Sequence, residues 1–80
     1  MTPEDAIAQL RARAQPGRAA DMARYHKAER PYLGVANPDT NDLVAEWRKH
    51  LSVQQRTALA AGLWETNIFE ARLAAAKLLT

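Results

Sequence analysis

Apolar positions along this chain recur every three or four residues, and no window alternates apolar and polar residues one by one. The pattern therefore predicts helices throughout, which the abundance of Ala and Leu supports. Thr2 can cap a first helix, with Pro3 at its first position and Glu4 and Asp5 in the turn where acids complement the helix dipole. Ile7, Leu10 and Ala14 then share one stripe, and Gln15-Pro16-Gly17 ends it. A second helix is predicted from about Arg18 to Ala28, with Ala19, Met22, Ala23 and His26 on one side and Tyr25 beside Met22. Pro31 cannot continue it, and an apolar linker, Pro31-Tyr-Leu-Gly-Val-Ala36, follows.

Asn37-Pro38 has the cap-then-proline form of a helix start, and Leu43, Val44, Trp47 and Leu51 mark the inward face of a third helix. Ser52-Val-Gln-Gln55 is a capping box opening a fourth, whose apolar residues are Leu59, Leu63 and Trp64. Glu65-Thr66-Asn67 breaks that helix, and Asn67 with Glu70 three residues on is expected to cap a fifth. Trp47 and Trp64, at helical spacing with leucines, are both expected in the core. The chain is thus all-α, about five short helices with brief connections.

The fifth helix has only Glu70, Arg72 and Lys77 as polar residues between Ile68 and Leu79. A helix so nearly apolar all round needs partners on more than one side. Helix pairs that leave an apolar face for the next pair are typical of α-solenoids of the HEAT-like type. Residues 1–80 are therefore read as one N-terminal segment of such a solenoid that continues past Thr80, or as a chain that self-associates through the exposed face of its last helix. No strict internal repeat is visible.

Composition narrows the function. Eighty residues make one small domain, near the lower limit for a core that stands unaided, and there is no cysteine to staple it. The N-terminus is not a secretion signal, and no window approaches the roughly 18 apolar residues of a membrane span, so a cytoplasmic protein without membrane contact is expected. Net charge is only +2. Its distribution is uneven: from Arg11 to Arg30, six bases against Asp21 and Glu29 give +4, which leaves −2 for the rest. Such a patch can attract phosphate, although charge alone favours the plain reading of a solvated helical face.

No catalytic or metal constellation is present. His26 and His50 lack metal-ligand spacing, and the three glycines form no phosphate loop. Glu4/Asp5 and Asp39/Asp42 sit in first helical turns, where capping and the dipole account for them, and Ser52 is a cap. No cofactor is implied. Tyr25, with Arg24, Lys27 and Arg30 around it, is the one grouping that suits a charged aromatic ligand.

The run MARYHKAERPYLGVANPDTNDL, followed by LAAGLWETNIFEARLAAAKLL, resembles the N-terminal part of the DNA alkylation repair family, the AlkD-like HEAT-repeat DNA glycosylases. The similarity lies in Tyr25-x-Lys27, in Tyr32-Leu-Gly-Val35 with Pro38 after it, and in Leu63-Trp64 preceding Phe69-Glu-Ala-Arg72. It implies a concave solenoid that tracks double-stranded DNA and excises positively charged alkylated purines. Tyr25 would then face the lesion, and Lys27, with Arg24 and Arg30, would contact the backbone. A cationic base suits an aromatic face and is already a good leaving group, so such an enzyme mainly stabilises an oxocarbenium-like sugar.

Two departures accompany the resemblance. The family's catalytic aspartate lies downstream of Thr80, and neither Asp39 nor Asp42 can replace it, so this chain should be inactive alone. The family's usual arginine after the proline is missing from Pro38-Asp-Thr-Asn-Asp42. The competing expectation is a helical protein-interaction scaffold without catalytic activity.

Overall fold

The computed structural model describes residues 1–26 and 30–80, His26 by its backbone. Five helices follow in order: α1 (Pro3–Ala12), α2 (Arg18–His26), α3 (Asn37–His50), α4 (Val53–Glu65) and α5 (Phe69–Leu78). No strand occurs among the described residues. The all-α architecture is the one predicted, and it is consistent with a segment of a helical repeat. None of these helices is long and apolar enough to cross a membrane.

Local chemistry sets the helix starts. Thr2 Oγ1 accepts from the Asp5 amide at 3.1 Å while Asp5 Oδ2 accepts from the Thr2 amide at 3.0 Å, a full capping box. Ser52 and Gln55 do the same at α4, at 3.1 and 2.8 Å. Two starts differ from expectation. Ala36, not Asn37, is the N-cap of α3, and it offers no side-chain bond; Pro38, which lacks an N–H, leaves one donor fewer to satisfy in that turn. At α5 the Asn67–Glu70 box does not form. Asn67 takes a left-handed conformation (φ 59°) one residue past the C-cap of α4, a place asparagine tolerates, and Ile68 caps α5 instead.

Helices α4 and α5 form an antiparallel pair, the most extensive contact in the chain, and α3 lies along the other side of α5. Helix α1 crosses α4 so closely that a Cβ on Gly62 would lie 2.4 Å from Pro3 Cγ. The core contains Leu10, Val35, Leu43, Trp47, Leu59, Leu63 and Leu78, with alanines 71, 74 and 75 giving α5 a thin inner face. Small residues there let its neighbours approach on both sides. Trp47 Nε1 donates to Gln9 Oε1 at 2.7 Å, and Arg13 pairs with Asp39 at 3.4 Å, so two polar contacts tie α1 to α3. Ala14 lies beyond the end of α1 and is exposed, not part of the buried stripe.

Candidate nucleic-acid interface

The elbow joining α2 to α3 is held by a carboxylate 36 residues away. Glu70, fully buried in the first turn of α5, accepts from the Leu33 amide at 2.8 Å through Oε1. Its Oε2 accepts from the amides of Gly34 and Val35 at 2.8 and 3.0 Å. Burying a carboxylate is costly unless its oxygens are satisfied. Three successive amides and the positive end of α5 meet that requirement here. The Phe69 amide donates to Pro31 O at 2.9 Å, and the Tyr32 and Phe69 rings lie 4.9 Å apart. On the opposite side, the Gln15 amide donates to Gly34 O at 2.9 Å. Gly34 has φ 89°, and a Cβ there would come within 3.0 Å of the Ala19 amide nitrogen. A left-handed backbone in so tight a space requires glycine.

Helix α2 therefore stands on a firmly fixed elbow but is itself superficial. Ala19, Met22 and Ala23, which share one side of it, are only half-buried. Tyr25 is 83% exposed on its outer surface. Arg24 is also exposed and pairs with Asp21 one turn earlier. Arg30 is half-buried at the bend before Pro31. Lys27, the fourth residue of the expected site, lies outside the described residues. The structure thus brings Arg24 and Tyr25 together on one short surface helix, with Met22 below them lining a depression of about 310 Å³ shared with Asn37, Phe69, Leu73 and Lys77.

Trp64 corrects the sequence reading. It is 50% exposed, not core, because the α4–α5 pair is filled by alanines and leaves the large ring at its edge. The Arg72 guanidinium covers the ring at 4.5 Å from its centroid, and Arg72 Nε donates to Trp64 O at 2.9 Å. Together with Leu79, 62% exposed, Trp64 borders an apolar groove of about 520 Å³ along α4 and α5.

Among the described residues no group of three or more metal-capable side chains converges. Asp39 is engaged by Arg13, and Glu46 by Lys49 and His50. Sequence reasoning missed the Glu70 clamp. Its cue, a single acid inside an apolar helix, was consumed by the local capping pattern.

The amino-acid pattern that builds this arrangement is also recognised by comparison with known families. The model for the DNA alkylation repair enzyme family matches residues 6–80, taking in the elbow, α2 to α5 and most of α1. No curated protein and no solved structure gives a significant match. With nearly its whole length matched, the chain belongs to the DNA alkylation repair enzyme family, with a role in DNA alkylation repair and DNA as the substrate.

Proposed function

We propose that the chain supplies DNA binding and lesion positioning to a DNA glycosylase that excises positively charged alkylated purines. The family match over residues 6–80 carries this reading. The exposure of Tyr25 supports it, because an aromatic side chain at the surface is within reach of a cationic base. Arg24, Lys27 and Arg30 are assigned to the phosphate backbone. The Arg24–Asp21 pair is exposed, and pairs of that kind are weak, so the guanidinium can exchange its partner for a phosphate. The five helices form the first part of a HEAT-like solenoid in this reading. Bond cleavage is assigned to an aspartate outside these 80 residues, as the family resemblance implies, and Asp39 serves in the first turn of α3, where it pairs with Arg13.

The test is release of a cationic alkylated purine from duplex DNA, by the 80-residue chain and by the whole product of its reading frame. The expected result is release by the latter alone, slowed in a Tyr25→Ala variant whose melting transition is unchanged. Unchanged excision in that variant would remove Tyr25 from the site. The second reading, a non-catalytic interaction scaffold, is favoured by the apolar groove beside Trp64 and Leu79. It takes over if neither protein releases the base or binds DNA in a salt-dependent way.

A further inference from the structure

Helices α1, α3, α4 and α5 each bury side chains in the common core, and the extensive helix–helix contacts are all among these four. Helix α2 buries none of its described side chains: Ala19, Met22 and Ala23 are half-buried, and Ala20, Asp21, Arg24 and Tyr25 are exposed. Its Arg24–Asp21 ion pair lies within the helix and so does not tie it to the body. Helices shorter than about 12–15 residues are marginal in water on their own. With nine residues, α2 relies on what it touches.

Those contacts are unequal along its length. The first turn is braced against the elbow: the Ala19 amide nitrogen lies 3.0 Å from where a Gly34 Cβ would stand, and the Gln15 amide, just before the helix, donates to Gly34 O at 2.9 Å. Beyond Ala19, Met22 is the large apolar side chain that faces the body, and the depression of about 310 Å³ that it lines is left open. The elbow itself is the reverse. The amides of Leu33, Gly34 and Val35 all end on the buried Glu70 carboxylate, at 2.8 to 3.0 Å, and Gly34 and Val35 are buried with it. A loop is thus held more tightly than the helix that precedes it, which inverts the usual order of stability in a fold.

We infer that the second half of α2 is an arm that opens from the body and closes again on its own, that Glu70 stops this opening at the elbow, and that duplex DNA closes the arm. The inference rests on the DNA-binding reading above and adds to it a moving part. Arg24 and Tyr25 ride on the arm, so its closure, and not the core, sets their position. Segments with few buried apolar contacts open locally without global unfolding, and ligand-binding elements are drawn from such segments. A phosphate contact that Arg24 completes only in the closed position shifts the population toward closure.

The experiment is amide hydrogen exchange of the 80-residue chain, followed by NMR, without DNA and with an undamaged duplex oligonucleotide. Without DNA, the amides of Met22 to Tyr25 should show protection factors about 100-fold or more below those of Leu33 to Val35. Urea below the unfolding midpoint should speed exchange at Leu33 to Val35 but not at Met22 to Tyr25, since denaturant acts in proportion to the surface that opening exposes. Met22→Ala should lower protection at Arg24 and Tyr25 by about tenfold, with the urea midpoint and the elbow amides unchanged. The duplex should raise α2 protection at about 50 mM salt, and less so at about 200 mM. Equal protection in α2 and the elbow would overturn the arm, as would a Met22→Ala midpoint lowered in the manner of a core truncation. Salt-dependent duplex binding that leaves α2 protection unchanged also overturns the inference, while the DNA-binding reading survives. A wild-type chain without salt-dependent binding removes that reading itself, and closure by DNA with it.

Discussion

At the scale of single residues, Glu70 shows what a sequence can and cannot reveal. Its position after Asn67 fits a capping box, a reading complete in four residues. The structure uses it across 36 residues instead, and nothing local distinguishes a carboxylate that caps its own helix from one that enters a ring of distant amides. The identities at the other end were more legible. Gly34, the one glycine of the proline-led linker, takes φ 89°, a turn conformation that glycine adopts without strain. The consequence is testable. In Glu70→Gln, one end of the side chain becomes a donor. Keeping oxygen on Gly34 and Val35 sets an NH₂ group against the Leu33 amide, and the opposite rotamer is worse. A buried amide left without an acceptor costs about 1–3 kcal/mol. Urea denaturation of Glu70→Gln should show a loss in that range, with the elbow amides 33–35 losing hydrogen-exchange protection first. A loss below about 0.5 kcal/mol, the usual span of surface substitutions, would mean that the carboxylate does not hold the elbow.

At the scale of elements, helix type and number were legible because periodicity and caps agree. Thr2 and Ser52 each begin a box whose second member the sequence also supplies, and both form. Boundaries were lost where the decisive group is backbone: Ala36 caps α3 by its position alone, and Asn67 serves the end of α4 through its φ angle. The N-terminal box also makes α1 sensitive to acid. The Thr2 amide, and after it the Thr2 side chain, hold the Asp5 carboxyl below its ordinary value. Glu46 is lowered in the same direction, first by its bond to His50 and then by Lys49. A carboxyl depressed in the folded state stabilises it above the unfolded pKa, and that contribution disappears as pH falls through the folded value. Stability should therefore decline below about pH 4, the ordinary carboxylate range, with no comparable change from about pH 5 to 7. Replacing Asp5 by Asn should lower the melting temperature at pH 7, and the gap from the parent chain should close toward about pH 3. A gap that stayed constant with pH would assign the effect to helix propensity and not to the charged cap.

At the scale of the whole molecule, two tryptophans that look alike in sequence occupy opposite situations. Each follows a leucine or lies one turn from one, and both fit the inward stripe of a helix. Trp47 is 3% exposed, packed in the core and bonded through Nε1 to Gln9. Trp64 is displaced to the rim because α4 and α5 meet through Ala60, Ala71, Ala74 and Ala75, a seam too thin for an indole. Pattern alone could not separate them, since the deciding volume belongs to the facing helix. The difference matters in a chain of this size, whose total stability is about 4–12 kcal/mol at 0.05–0.15 kcal/mol per residue. Trp47→Ala removes a buried aromatic and leaves a cavity between α1 and α3, at a cost of about 3–5 kcal/mol. Trp64→Ala removes a half-exposed ring and its cation contact with Arg72, a contact worth about 0.5–1 kcal/mol at an exposed site. Chemical denaturation should therefore find Trp47→Ala largely unfolded or at the edge of folding, and Trp64→Ala cooperatively folded with a modest shift of midpoint. Equal losses in the two variants would show that Trp64 is held as firmly as the core, and that the groove beside it is closed in solution.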